Sequence, residues 1–182
     1  EPKSGLCLDF KFQGILGGHS GIEINNGLAN ANALTGRFFM ALKKVCDFEI
    51  ITLSGGVKEN VIPKDAQFSL LVSQADLAVV EKELADFNTE IKAEYAAADP
   101  NATLVMASAG VSDAYVLDND SMDKLITALN LMPNGVQAMC IDLPGLVETS
   151  LNMGVITLSE DNLQMCFSIR SSVSTAKAYI VN

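Results

Sequence analysis

Leu6, Leu8, Phe10 and Phe12 alternate with Cys7, Asp9, Lys11 and Gln13, and the pattern returns at Leu163, Met165, Phe167 and Ile169 against Gln164, Cys166, Ser168 and Arg170. Strict period-two alternation belongs to a strand with one face buried and the other wet. A sheet of such strands needs a covering layer on one face only. That restricts the chain to a one-sided sheet and the helices that cover it.

The covering helices are legible between the strands. Leu28, Ala31, Leu34, Phe38, Leu42 and Val45 recur at three- and four-residue steps, which predicts an amphipathic helix over 27–45 with Asn25 or Asn26 as its cap. A strand over 48–53 is stopped by Ser54-Gly55-Gly56, a loop spans 57–63, and a third strand covers 67–72. Ser73, with Asp76 three residues on, approximates a capping box for a second helix whose stripe is Leu77, Val80, Leu84, Phe87 and Ile91. Pro100 disfavours helix in the residue before it, so this helix should fade near Ala98. A short strand follows at 103–107. Asp118 or Asp120 starts a third helix with Met122, Leu125, Ile126 and Leu129 inward, and Pro133-Asn134-Gly135 ends it. Strands are predicted over 136–141, 148–158 and 162–170, with Asp161-Asn162 turning the last two into a hairpin. A helix begins within 171–182. The order β-α-β-β-α-β-α-β-β-β predicts an α+β fold: a two-layer sandwich, mostly antiparallel, with helices on one face. The polar segment 96–102 is the weakest joint and the place where two sub-lobes would divide.

At 182 residues with 49% apolar side chains the chain can bury a sizeable core, and with no Trp that core is mostly aliphatic. Twelve Lys plus Arg stand against twenty-two Asp plus Glu, and the lysines form no stripe, which argues against nucleic acid as a partner. No apolar run reaches the roughly 18–20 residues that cross a bilayer, and no signal-peptide pattern is visible. Cys7, Cys46, Cys140 and Cys166 are isolated, with no C-x-x-C pair. Isolated cysteines in an apolar chain fit buried thiols in a reducing, cytoplasmic setting. One histidine and scattered thiols make a poor metal site, so no metal ligand is assigned.

That histidine, His19, lies in Gly17-Gly18-His19-Ser20-Gly21-Ile22-Glu23-Ile24-Asn25-Asn26, between a strand and a helix. Glycines let backbone approach a ligand closely, but a lone histidine is just as often structural. The stretch lacks the ending of a phosphate-binding P-loop and does not fit G-x-G-x-x-G. A general base would need a nucleophile and an orienting partner, whereas donating a hydrogen bond to a developing oxyanion needs one His alone. Asn60, in Lys58-Glu59-Asn60-Val61-Ile62-Pro63, is a turn residue on the plain reading. Arg170 is either a solvated arginine or a fork for a carboxylate. Glu148, Ser150 and Asn152 share one face of their strand, which edge exposure explains as well as a site does.

The stretch 17–24, with Gly27-Leu28-Ala29-Asn30-Ala31, closely resembles the aminoacyl-histidine dipeptidases, two-zinc peptidases related to the carnosinases. The resemblance continues through Gly56-Val57-Lys58-Glu59-Asn60-Val61-Ile62-Pro63 and Pro133-Asn134-Gly135-Val136. It runs on through Pro144-Gly145-Leu146-Val147-Glu148-Thr149-Ser150-Leu151-Asn152 to Arg170-Ser171-Ser172, in family order over roughly residues 6 to 175. It implies that residues 1–182 are a lid, or dimerisation-type, domain excised from a larger cytoplasmic peptidase. The two zinc ions and the catalytic glutamate would belong to a catalytic domain of the same polypeptide. By the same resemblance, His19 would polarise the scissile carbonyl of an Xaa-His-type dipeptide and stabilise the tetrahedral intermediate. Asn60 and Arg170 would hold the substrate's C-terminal carboxylate. The isolated segment is then expected to bind no zinc tightly and to hydrolyse nothing. The alternatives are a non-catalytic module that forms a homodimer through an exposed sheet edge, and an unrelated ligand-binding domain in which His19 is structural. No function beyond a structural one is assigned to Glu148 to Asn152.

Overall fold

The computed structural model describes residues 2–159 and 162–181. The elements run in order: β1 (Lys3–Gln13), β2 (Gly18–His19), α1 (Ala31–Leu42), β3 (Phe48–Gly55), β4 (Val61–Ile62) and β5 (Ala66–Val72). A 3-10 turn (Gln74–Asp76) leads into α2 (Leu77–Glu94), followed by β6 (Thr103–Ala114), α3 (Asn119–Leu131), β7 (Gly135–Met139), β8 (Val147–Leu158), β9 (Leu163–Ser171) and α4 (Ser174–Val181). A seven-stranded sheet runs β6-β1-β5-β3-β8-β7, with β9 also on β8, and its pairings are antiparallel. β2 and β4 make a separate two-stranded sheet. The fold is the α+β, mostly antiparallel arrangement that the alternation predicts.

The core follows from that alternation. Leu6, Leu8, Phe10 and Phe12 are buried, and β1 pairs with β5 so that Phe10 stands opposite Phe68. Their rings stack at 5.0 Å between centroids, Phe39 of α1 meets Phe68 edge-on at 4.8 Å, and Phe38 bridges Phe10 to Phe87 of α2. Such offset and edge contacts suit the ring quadrupoles. Helix α3 buries the four residues its period predicts, Met122, Leu125, Ile126 and Leu129. It packs close enough to α1 that a Cβ on Gly36 would stand 2.6 Å from Leu129 Cβ. Arg37 of α1 forks onto Glu94 of α2 at 2.6 and 2.7 Å. That hydrogen bonding holds the Glu94 carboxyl below its ordinary range.

Several boundaries differ from expectation for local reasons. The cap of α1 is Asn30, not Asn25 or Asn26: its backbone is extended and its Oδ1 accepts from the amides of Asn32 and Ala33. Gly27, at φ +75°, reverses the chain before the helix can begin. The Ser73 hydroxyl caps the 3-10 turn rather than a full capping box, and α2 ends at Glu94, short of Ala98. β6 runs seven residues past the expected 103–107 because it follows β1 along its whole length, to Lys3 opposite Ala114. Its outer half is mostly exposed, so it carries no burial pattern to read. The last two strands do pair as a hairpin, with Leu158 opposite Leu163. Asp161 of the expected turn lies outside the described residues.

The segment 96–102 is not a joint. Asp99 is fully buried, and its carboxylate accepts from the amides of Leu16 (3.0 Å) and Ala29 (3.2 Å). Those amides bound the glycine-rich stretch that carries His19, so one carboxylate closes the base of that excursion. Asp99→Ala would leave the buried Ala29 amide without a partner and free the amide of the exposed Leu16, and its expected cost is about 1–3 kcal/mol. Chemical denaturation of the variant checks this, with Asp99→Asn losing less because it keeps one acceptor. The narrowest seam in the sheet lies elsewhere, between β3 and β8, where Ser54 faces Thr157 and Gly55 faces Ile156.

Candidate functional site

The site is built on the small sheet. Gly18 pairs with Ile62 and His19 with Val61, while the amide of Ser20 donates to the Asn60 carbonyl at 3.0 Å. Gly17 takes φ +68°, and a Cβ there would stand 3.0 Å from the Ile62 carbonyl oxygen, so the approach of these two segments requires glycine. Beyond His19 the chain turns tightly: the amides of Ile22 and Glu23 both donate to the His19 carbonyl, at 3.0 and 2.8 Å. Glu23 returns its carboxylate to accept from the His19 amide at 2.7 Å. The histidine backbone is thereby held from both sides.

The side chain is held as well. His19 Nδ1 accepts from the Gly21 amide at 3.1 Å. A nitrogen that accepts carries no proton, so the neutral ring bears its hydrogen on Nε2. His19 is exposed.

Arg170, near the end of β9, reaches the same place. A Cβ built on Gly21 would lie 2.9 Å from Arg170 Cζ and 3.0 Å from His19 Cε1. The imidazole and the guanidinium therefore flank a glycine that leaves room for both. Among the described residues Arg170 makes no ion pair and no side-chain hydrogen bond, and its side chain is exposed. A free guanidinium beside an N–H donor suits a carbonyl or carboxylate oxygen. Asn60 joins the pair through its backbone, with its side chain half-buried.

His19, Asn60 and Arg170 thus come from three separate parts of the chain, and His19 and Arg170 meet around Gly21. Glu23 and Gly21 were not singled out from the sequence. A carboxylate returning four residues to a backbone amide leaves no composition signal, and a glycine does not show in the sequence which side chains it makes room for. Ser150 and Asn152, read as compatible with an exposed edge, are buried: β8 is an inner strand, between β9 on one side and β7 and β3 on the other, and the loop of Glu59 and Val61 lies against Asn152.

The chain's donors do not fit a metal ion: among the described residues no group of three or more His, Cys, Asp and Glu could hold one. The four cysteines are free and half-buried. Burial and the nearby carboxylates push the Cys46 thiol up. No helix of the described residues is long and apolar enough to cross a membrane.

Comparison with known proteins places the chain among peptidase segments. Residues 11–99 match the peptidase dimerisation domain. The chain is 39% identical over 171 residues to the cytosol non-specific dipeptidase of Escherichia coli strain K12, covering 93% of this chain and 35% of that protein. It superposes on the crystal structure of aminoacylhistidine dipeptidase from Vibrio alginolyticus with a TM-score of 0.93 and 29% identity, covering 97% of this chain and 36% of that one. The chain spans about a third of the length of these two relatives. Residues 11–99 thus match a peptidase dimerisation domain, and over nearly its whole length the chain is similar to a segment of these two dipeptidases.

Proposed function

We propose that residues 1–182 act as the lid of a cytoplasmic dipeptidase that cleaves Xaa-His-type dipeptides, closing over substrate held by a catalytic domain of the same polypeptide. The observation that carries this is the pairing of the His19 Nε2–H donor with the unpaired Arg170 guanidinium around Gly21. On the resemblance, two zinc ions would be held by that catalytic domain; among the described residues of this chain no group of three or more His, Cys, Asp and Glu could hold one. The steps assigned here use this chain's own groups.

His19 Nε2–H donates to the scissile carbonyl oxygen, and the bond strengthens as that oxygen gains negative charge. Arg170 donates its fork of N–H groups to the C-terminal carboxylate, and the Asn60 amide supplies a further donor to it. Lid closure brings these groups onto the substrate and excludes water. Glu23, Gly21 and Asp99 hold the His19 turn in place beforehand, so little reorganisation is left for the reaction itself.

Arg170 gives the direct test, in the intact dipeptidase that carries this segment. Arg170→Ala should raise KM for a dipeptide by about 10–100-fold, consistent with the loss of a charge-assisted pair. The same change should alter KM much less for the matching dipeptide amide, which lacks the carboxylate. Equal effects on acid and amide would remove Arg170 from carboxylate binding.

A second role rests on a separate observation. β6 is an edge strand, pairing with β1 alone and leaving its other side without a partner among the described residues. An open edge of this length is a template for a second copy, which supports a homodimer. A sedimentation coefficient that stays monomeric across a wide concentration range would count against it.

A further inference from the structure

Asn152 is 1% exposed in the middle of β8, and both hydrogens of its Nδ2 are used. They go to the carbonyls of Glu59 and Val61, each at 2.8 Å. Those two carbonyls bracket Asn60. The Asn60 carbonyl in turn accepts from Ser20, and Val61 pairs with His19. On its other side β8 pairs with β9, in a register that sets Ser150 opposite Arg170 and Asn152 opposite Ser168. One amide therefore ties the strand beside Arg170 to the loop of Asn60 and, through it, to the turn of His19.

The orientation of that amide is itself constrained. Asn152 Oδ1 accepts from Asn30 Nδ2 at 3.4 Å, and the same nitrogen reaches Asn134 Oδ1 at 3.2 Å. Asn134 Oδ1 also accepts from the Met153 amide at 2.9 Å, and Asn30 Oδ1 caps α1. The Glu59 and Val61 carbonyls can only accept, so Nδ2 and not Oδ1 must face the loop. The chemistry at this position is narrow. Two bracketing carbonyls call for a side chain with two N–H donors in a fork, and a neutral amide provides them without burying a charge. Aspartate has the same shape but would set a carboxylate against two carbonyl oxygens. Glutamine has the donors but is one methylene too long.

We propose that Asn152 is the positioning residue that sets where His19 and Asn60 stand relative to Arg170. It touches no substrate and acts through the loop it holds. Its catalytic importance rests on the roles proposed above for His19 and Arg170.

Hydrogen exchange on this chain reads the tether directly. In Asn152→Asp the Ser20 amide should exchange at least about tenfold faster while the amides of β1 and β5 keep their protection, the pattern of a local opening. Unchanged Ser20 exchange in a folded variant overturns the proposal, and so does protection lost equally across β1 and β5, which would mean a global loss of stability. Should the aspartate variant not fold, Asn152→Gln carries the same readout with the donors kept and the reach changed.

Kinetics in the intact dipeptidase supply the functional arm. Asn152→Gln should lower kcat/KM, and in a His19→Ala background most of that loss should vanish, since residues acting through one another are not additive. Full additivity overturns the assignment. Normal turnover of His19→Ala alone would instead sink the role given to His19 and leave the exchange result standing.

Discussion

His19→Ala in the intact dipeptidase should lower kcat by about 10²–10³-fold, the usual loss when one oxyanion donor is removed. KM should change little, because the bond is strong only once the carbonyl oxygen has become an oxyanion. The structure gives the reason this one group can carry so much. The Gly21 amide occupies Nδ1 at 3.1 Å, so the donor is Nε2–H without any tautomer to select. Glu23 and the double acceptance by the His19 carbonyl hold the backbone that aims it. Metal content measured beside the rates separates this from a damaged catalytic domain. Unchanged kcat with normal metal content would return His19 to a structural role. His19→Gln should recover part of the loss, since it restores an N–H donor but not the Gly21 contact.

The second large effect concerns the crossing that brings Asn60 to β8. Gly56 sits at φ +72°, and a Cβ there would stand 1.8 Å from the Gly154 carbonyl oxygen. Gly154 meets the loop in return: a Cβ on it would stand 2.5 Å from Glu59 Cα. The contacts are backbone on both sides, so no side chain can rotate away. Gly56→Ala combines the cost of a left-handed backbone with that of overpacking, together about 3 kcal/mol or more. In a chain of this size that lowers Tm by roughly 6–12 °C. Gly110→Ala is the control. Its φ is +88° but nothing lies within 4 Å, so it should show the backbone cost alone, about 1–2 kcal/mol. Equal losses in the two variants would mean that the crossing is not tight.

The two glycines bear on function as well as stability. They let the Glu59 and Val61 carbonyls come within reach of Asn152, two residues before Gly154, which stands at the register shift between Met153 and Val155. A folded Gly56→Ala chain should therefore show faster Ser20 exchange, like Asn152→Asp.

Much of the architecture was legible because burial imposes a period. Phe10 and Phe12 on one face of β1, and Leu125, Ile126 and Leu129 on one face of α3, are buried as their spacing requires. Where burial is absent the period is absent too, which is why the outer half of β6 escaped. The caps were less legible, since any of several asparagines near residue 26 could have served and only the turn at Gly27 decides for Asn30. The roles expected of His19, Asn60 and Arg170 rest on the resemblance. From residue type alone each had a plain alternative.

The sequence by itself determined which faces are apolar, and so the one-sided sheet, its helices and the acidic surface without a basic stripe. These depend on local spacing and on side-chain transfer from water, both of which can be read along a chain. Only the tertiary structure decided that His19 and Arg170 meet around Gly21, that Asp99 closes the base of the His19 excursion, and that Asn152 tethers the Asn60 loop. Each of these is a short-range polar contact between residues distant in sequence. A hydrogen bond depends on tenths of an ångström and on direction, and neither has a periodic trace in the sequence.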